Sequence, residues 1–178
     1  MSLDWNVEYD FAYQPKDMFS GIRFAIPLQD GRIVYMYEDF DSTDLNGFII
    51  LLDTQLFIKV WQNLPDTFQT KDFQHSNKSE WVSIKNNPNI TITNRCFSHG
   101  KDNPVPLAWV SCENFSDGFY WTNGITRTIW LLSNNAKYIP VFTRTKKTAN
   151  LLSWFIGLKH CRNCYSMQEI ISVANYLQ

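Results

Sequence analysis

Residues 22–28 and 32–38 are two apolar-rich runs flanking Gln29-Asp30-Gly31, which predicts a β-hairpin. Residues 47–53, GFIILLD, form a continuous apolar run and predict a buried strand. Thr54 then reads as the N-cap of a short helix, with Leu56, Phe57, Val60, Trp61 and Leu64 on one face and Pro65 beyond its end. Residues 66–80 are polar and aperiodic, and read as a loop. Strands are expected at 81–85 and 90–97, separated by Asn86-Asn87-Pro88-Asn89, and again at 105–111 and 118–122. From Ile125 the period becomes helical: Ile125, Ile129 and Leu132 share a face, and Asn134-Asn135 ends the run. A strand over 137–143 and helices over 149–158 and 167–177 complete the chain, the last with a capping box from Ser166 to Glu169. The pattern predicts one α+β domain with a mixed sheet spanning residues 1–178, without repeats or an obvious linker.

Composition supports a packed core. Of 178 residues, 44 % are hydrophobic and 16 % aromatic, which is incompatible with intrinsic disorder. No stretch approaches the roughly 20 apolar residues of a membrane-spanning helix. The acidic N-terminal segment lacks the apolar run of a signal peptide, so a cytoplasmic protein with no membrane partner is expected. Asn-x-Ser/Thr at Asn77, Asn89 and Asn114 then carries no meaning. Cys161 and Cys164 have metal-ligand spacing beside His160. A structural zinc wants a second pair, however, and Cys96 and Cys112 stand alone. They read as reduced thiols, with no metal site.

The net charge of −1 excludes a protein uniformly basic enough to coat nucleic acid. Its distribution is uneven. Residues 1–60 hold 10 acids and 4 bases, residues 61–120 hold 6 and 5, and residues 121–178 hold 1 and 7. The C-terminal third is therefore the place for an anionic partner, DNA or a nucleotide. The acidic first third, with Asp39, Asp41 and Asp44 and the aromatic run Trp5, Tyr9, Phe11 and Tyr13, suits either an edge strand or a strip that docks on a basic protein.

The most informative segment runs from residue 119 to 141, FYWTNGITRTIWLLSNNAKYIPV. It predicts a strand, a turn at Gly124-Ile125-Thr126-Arg127, a helix, and a strand carrying Pro140-Val141. This arrangement resembles the core of the ParB/sulfiredoxin superfamily, whose hallmark is Gly-x-x-Arg between strand and helix followed by a Pro-Val strand. The resemblance implies that residues 101–178 form that core and that residues 1–100 are a divergent elaboration. Physical chemistry makes such a turn an anion site. Gly124 permits a tight turn and close ligand approach. The following helix directs unpaired N–H groups and its positive end at that space. Arg127 offers a two-pronged donor, Asn123, Thr126 and Thr128 add neutral donors, and Lys146 and Lys147 are expected at the rim.

The departures narrow the resemblance. Sulfiredoxin carries its catalytic cysteine directly before the motif arginine, where this chain has Thr126. Chromosome-partitioning ParB proteins carry an acid and a second arginine inside the motif and a helix-turn-helix behind it. Here those motif positions are Ile125 and Thr126, and only 37 residues follow Val141. What remains is most similar to the plasmid fertility inhibition factors of the Osa and FiwA type. That resemblance implies a bacterial protein that opposes conjugative, type IV transfer of DNA, in a family associated with nucleotide hydrolysis and DNA cleavage. It implies Gly124 and Arg127 as the phosphate-contacting pair.

Cleavage would need a base or metal-binding carboxylate beside the anion, with a nucleotide and a divalent metal as the expected cofactors. Glu113 and Asp117 are the nearest acids in sequence, and His99, in a Gly-flexed loop, is a further acid–base candidate. Each also reads as an ordinary solvated loop residue. Trp109, Tyr120 and Trp121 are candidates for stacking on a base, or for core and boundary positions. The competing function is a non-enzymatic inhibitor, such as an immunity or anti-defence protein, that docks through its acidic face.

Overall fold

A computed structural model describes residues 3–13, 19–41, 45–63, 88–114 and 120–177. Gln29, Asp30 and Gly31 turn the chain between β2 (Gly21–Pro27) and β3 (Ile33–Asp39), as the hairpin pattern predicts. Gly31 takes φ 86°, a left-handed conformation that suits glycine, and Leu28 N donates to Arg32 O at 2.8 Å to close the loop. β1 (Tyr9–Ala12) pairs antiparallel with β2 at one edge, and β5 (Val105–Pro106) pairs parallel with β3 at the other. β1 is thus an edge strand. Trp5, just before it, is buried against Phe24 and Tyr165.

The second sheet has the order β7-β6-β8-β4-β9. Its centre is apolar: β8 (Tyr138–Thr143) is buried throughout and pairs antiparallel with β4 (Phe48–Asp53), in register from Phe48–Thr143 to Asp53–Tyr138. β6 (Ala108–Ser111) runs parallel to β8, and β7 (Tyr120–Asn123) closes the edge antiparallel to β6. β9 (Cys164–Ser166) covers the far side of β4. The fold is α+β, with its strands divided between two mixed sheets. The run expected as one strand over 105–111 breaks at Leu107, whose N–H donates to Tyr37 O at 2.8 Å. That bond hands the chain from one sheet to the other. Tyr138 ties the sheets again by donating its hydroxyl to Ala25 O at 2.8 Å, and burial raises its pKa.

Among the described residues, five helices connect or cover these strands. α1 (Thr54–Asn63) starts where the pattern predicts, but its cap is Asp53, not Thr54. Asp53 Oδ1 accepts from Leu56 N at 2.9 Å, while the Thr54 hydroxyl is buried with no partner among the described residues. α2 (Pro88–Ser98) replaces the strand expected at 90–97. The β-branched residues there favour a strand, yet Pro88 suits a first helical position and Ile90, Thr93 and Phe97 bury one helical face. That face packs on α3 (Ile125–Ser133): Phe97 stacks on Trp130 at 4.2 Å, and Trp130 Nε1 donates to Asn94 Oδ1. Tertiary packing overrides local preference. α4 (Lys146–Ile156) lies against β4, and α5 (Met167–Leu177) carries the expected capping box: Glu169 N donates to Ser166 Oγ and Ser166 N to Glu169 Oε2. The loop read at 66–80 and the strand at 81–85 lie outside the described residues.

Strand direction decides which residues meet. β7 ends beside the start of β6, with Asn123 opposite Trp109. Gly124 therefore sits next to Ala108, where the chain leaves β5. Glu113 follows the other end of β6, and α4 begins beyond the corresponding end of β8.

Candidate functional site

Where β7 meets α3, a groove of about 630 Å³ opens between that junction, β5 and α2. Asn123, Gly124, Thr126 and Arg127 form one wall, Pro104 to Pro106 the floor, and Thr93 and Cys96 of α2 the other wall, with His99 and Asn103 at one end. Gly124 is required twice over. Its φ of 84° is left-handed, and a Cβ would stand 2.6 Å from Ala108 Cα and 2.7 Å from Ala108 Cβ, as well as against Arg127 Nε. The glycine thus gives Arg127 room to lie back over the turn.

Arg127 is held there by both ends of its fork. Nη1 donates to Pro106 O at 2.8 Å and Nη2 to Asn123 Oδ1 at 2.8 Å. Burial lowers its pKa, countered by the charges of Glu38, Tyr37 and Cys96; an arginine so placed is still a cation at neutral pH. Among the described residues no side chain caps α3, whose first intrahelical bond is Thr128 N to Gly124 O; the N–H groups of Ile125, Thr126 and Arg127 have no intrahelical partner, and no acid sits in the first turn. A rigid cation and a helix's positive end converge on one open groove.

The other expected site residues divide. Thr126 and Asn123 line the groove, although Asn123 Oδ1 is engaged by Arg127. Thr128 does not reach it: the side chain is buried and its hydroxyl donates to Gly124 O at 3.1 Å, inside the helix. His99 lines the groove, its Nδ1 3.2 Å from Asn103 Nδ2. Glu113 is exposed and paired with Lys147 at 3.2 Å, beyond the far end of β6, so it does not stand beside Arg127. Lys146 and Lys147, expected at the rim, belong to that far end too. Asp117 lies outside the described residues. Among the aromatic candidates, Trp121 lines the groove, Tyr120 is exposed elsewhere on β7, and Trp109 packs on Phe142 with Arg144 over its ring. Sequence reasoning missed Thr93, Cys96 and Asn103. The spacing of Thr93, Cys96 and Phe97 was a helical signal hidden by the strand reading of 90–97.

Some of the described acids of the first third are engaged. Arg23 pairs with Asp10 at 2.8 Å and Lys101 with Asp10 at 2.6 Å, Arg32 pairs with Asp30 at 2.7 Å, and Glu38 is buried. Asp39 accepts from Asp41 N at 2.9 Å, and Asp44 lies outside the described residues. In the Cys161–Cys164 pair, burial pushes the Cys164 thiol up to about 11, which keeps it protonated and a poor ligand or nucleophile at neutral pH.

A family model described as plasmid fertility inhibition factor matches residues 49–157, from β4 to the end of α4 and including every groove residue named above. The chain belongs to the plasmid fertility inhibition factor family. The chain is 38 % identical over 64 residues to protein Osa of Shigella flexneri, a stretch that is 35 % of this chain and 34 % of that protein, so the match spans about a third of the relative's length. Its fold is similar to the crystal structure of the oncogenic suppression activity protein, a plasmid fertility inhibition factor, solved as a gold(I) cyanide derivative. The TM-score is 0.75 at 19 % identity, covering 100 % of this chain and 87 % of that one. At that identity the likeness establishes the fold. Among the described residues, no helix is long and apolar enough to cross a membrane.

Proposed function

We propose that this fertility inhibition factor opposes the transfer of DNA, or of a DNA–protein complex, by holding a nucleotide or DNA phosphate in the groove at Gly124–Arg127. The observation that carries the reading is Arg127, fixed over Gly124 by Pro106 and Asn123 beside the uncapped start of α3. A fork already fixed in place loses little freedom when it meets a phosphate, and the remaining guanidinium N–H groups and helix amides are donors of the right kind.

The groove supports binding more directly than cleavage. Among the described residues that line it there is no carboxylate. Among those described residues Cys96 and His99 are the only side chains of metal-binding type, and together they do not suit a hard, oxygen-preferring ion such as Mg²⁺. No cleavage step is therefore assigned to a resident metal. Among the expected acid–base candidates that are described, His99 is the one that lines the groove.

Transfer assays test the reading. Donor cells expressing the wild-type chain should show suppressed transfer of a mobilisable plasmid, and cells expressing Arg127→Ala at equal protein level should not. Full suppression by the variant would remove the groove from the mechanism.

A further inference from the structure

We propose that the chain has a second ligand site, at the end of α3 remote from the groove, and that it takes a carboxylate: the C-terminal carboxylate of a peptide or that of a small acid. This site is independent of the phosphate reading. α3 starts at the groove beside Gly124 and ends at Asn134, about 14 Å of helix away. There a cavity of about 380 Å³ opens between the end of β2, the start of α1 and the connection from α3 to β8. That connection is pinned: Ala136 N donates to Leu131 O at 3.0 Å and Lys137 N to Pro27 O at 2.9 Å.

Two separate observations point to an anion. The first is Thr54. It lines the cavity and is 2 % exposed, and its hydroxyl is buried with no partner among the described residues. Such a hydroxyl is unfavourable, and an acceptor seated beside it recovers the loss. The second is the start of α1. Asp53 takes the N–H of Leu56, which leaves those of Thr54 and Gln55 without an intrahelical partner at the helix's positive end. Lys137 brings a positive charge to the same cavity, and Arg32 bonds the neighbouring Asn134 Oδ1 at 3.1 Å. A hydroxyl, helix amides and an ammonium form a donor set that suits a carboxylate.

Asp53 decides between anions. Its own carboxylate stands at this helix end and repels a phosphate dianion more strongly than the single charge of a carboxylate. The neutral groups extend the fit to a peptide. Asn135 Nδ2 donates to Gln29 Oε1 at 2.5 Å, which leaves the Gln29 amide to donate and Asn135 Oδ1 to accept. Those are the two partners that a peptide group requires. Pro27 and Ala136 offer apolar surface to a last side chain. Capture of a chain end by backbone N–H groups is an established mode of peptide recognition.

NMR titration of the full chain, labelled with ¹⁵N, tests the site. The probes are N-acetyl-Ala-Val, the same dipeptide with a C-terminal amide, acetate and inorganic phosphate. N-acetyl-Ala-Val should shift the amide signals of Thr54, Gln55 and Lys137 saturably. The amidated dipeptide and phosphate should each bind at least tenfold more weakly. Equal or tighter binding of either, or no saturable shift with the free acid, would overturn the proposal. Acetate binding as tightly as the dipeptide identifies a small acid, and tighter binding of the dipeptide a chain end; each supports a carboxylate site. Thr54→Val keeps the shape and removes the hydroxyl. It should bind the dipeptide at least threefold more weakly while melting no lower than the wild type, a combination that a purely structural role would not produce. Lys137→Gln should lose about tenfold in affinity. Wild-type affinity in either variant would overturn the assignment.

Discussion

Arg127 lies back over Gly124 so closely that a Cβ at Gly124 would collide with the guanidinium Nε and with the backbone of Ala108. The two residues act as one device: the glycine makes the space, and the arginine fills it on the way to Pro106 and Asn123.

Gly124→Ala should therefore do more than strain the backbone. A non-glycine residue at φ 84° costs roughly 1–2 kcal/mol, and the contact with Ala108 adds a similar amount. At about 2–4 °C per kcal/mol for a domain of this size, thermal denaturation should show a fall of roughly 4–16 °C, with loss of anion binding. Gly31→Ala is the control. It shares a positive φ of 86° but faces open space, so it should cost only about 1 kcal/mol and leave binding unchanged.

Asn123 orients Arg127 through a neutral oxygen, 2.8 Å from Nη2. Asn123→Asp would keep that geometry while turning the acceptor into a carboxylate that competes with phosphate for the guanidinium. Affinity for a nucleotide or oligonucleotide should drop by about tenfold or more, with the melting temperature maintained or raised. Unchanged affinity would mean that Arg127 does not meet the anion.

The thiols should separate by environment. Cys96 is exposed in the groove, Cys112 is buried, and Cys164 is pushed up to about 11 by burial. Under native conditions at pH 8 a thiol reagent should modify Cys96 well before Cys112 or Cys164, as mass spectrometry of peptides would show. Saturating nucleotide should slow the reaction at Cys96. Labelling of Cys96 at the same rate with and without nucleotide would place the ligand elsewhere.

Much of this site was legible in the sequence. Gly124 and Arg127 stand out because a strand, a turn and a helix of different periods meet there, and the structure puts them together as that pattern implies. The opposite wall was not legible. Ile90, Thr91, Ile92 and Thr93 carry a strand-like bias that α2 overrides through the packing of Phe97 on Trp130, and Cys96 becomes a groove residue only once that segment is helical. Charge misled for a related reason. Nearness in sequence suggested Lys146, Lys147 and Glu113 as companions of Arg127, but β6 and β8 run parallel and carry all three to the other end of the sheet. Asp53 and Thr54 are both good capping residues, and composition alone does not say which of two neighbours ends the strand.

Asp10 supplies a pH dependence. Burial pushes its carboxyl up, but hydrogen bonds and charges from Arg23 and Lys101 outweigh this and hold it below its ordinary value. A carboxyl depressed in the folded state stabilises fully above its unfolded pKa of about 3.9, and that contribution is lost as pH falls through the lower folded value. The difference in melting temperature between the wild type and Asp10→Asn should be constant above about pH 5 and shrink below about pH 4. A difference that grows on acidification would contradict the assignment.

Whether Arg127 meets a phosphate is read from the affinity of labelled nucleotide and single-stranded oligonucleotide for the wild type, Arg127→Lys and Arg127→Ala, each checked for an unchanged circular dichroism spectrum. Losing a charge-assisted contact of about 1.5–3 kcal/mol predicts that Arg127→Ala weakens binding roughly tenfold to a hundredfold or more, with Arg127→Lys in between because it keeps the charge and loses the fork. A folded Arg127→Ala protein that binds both ligands as tightly as the wild type would contradict the account.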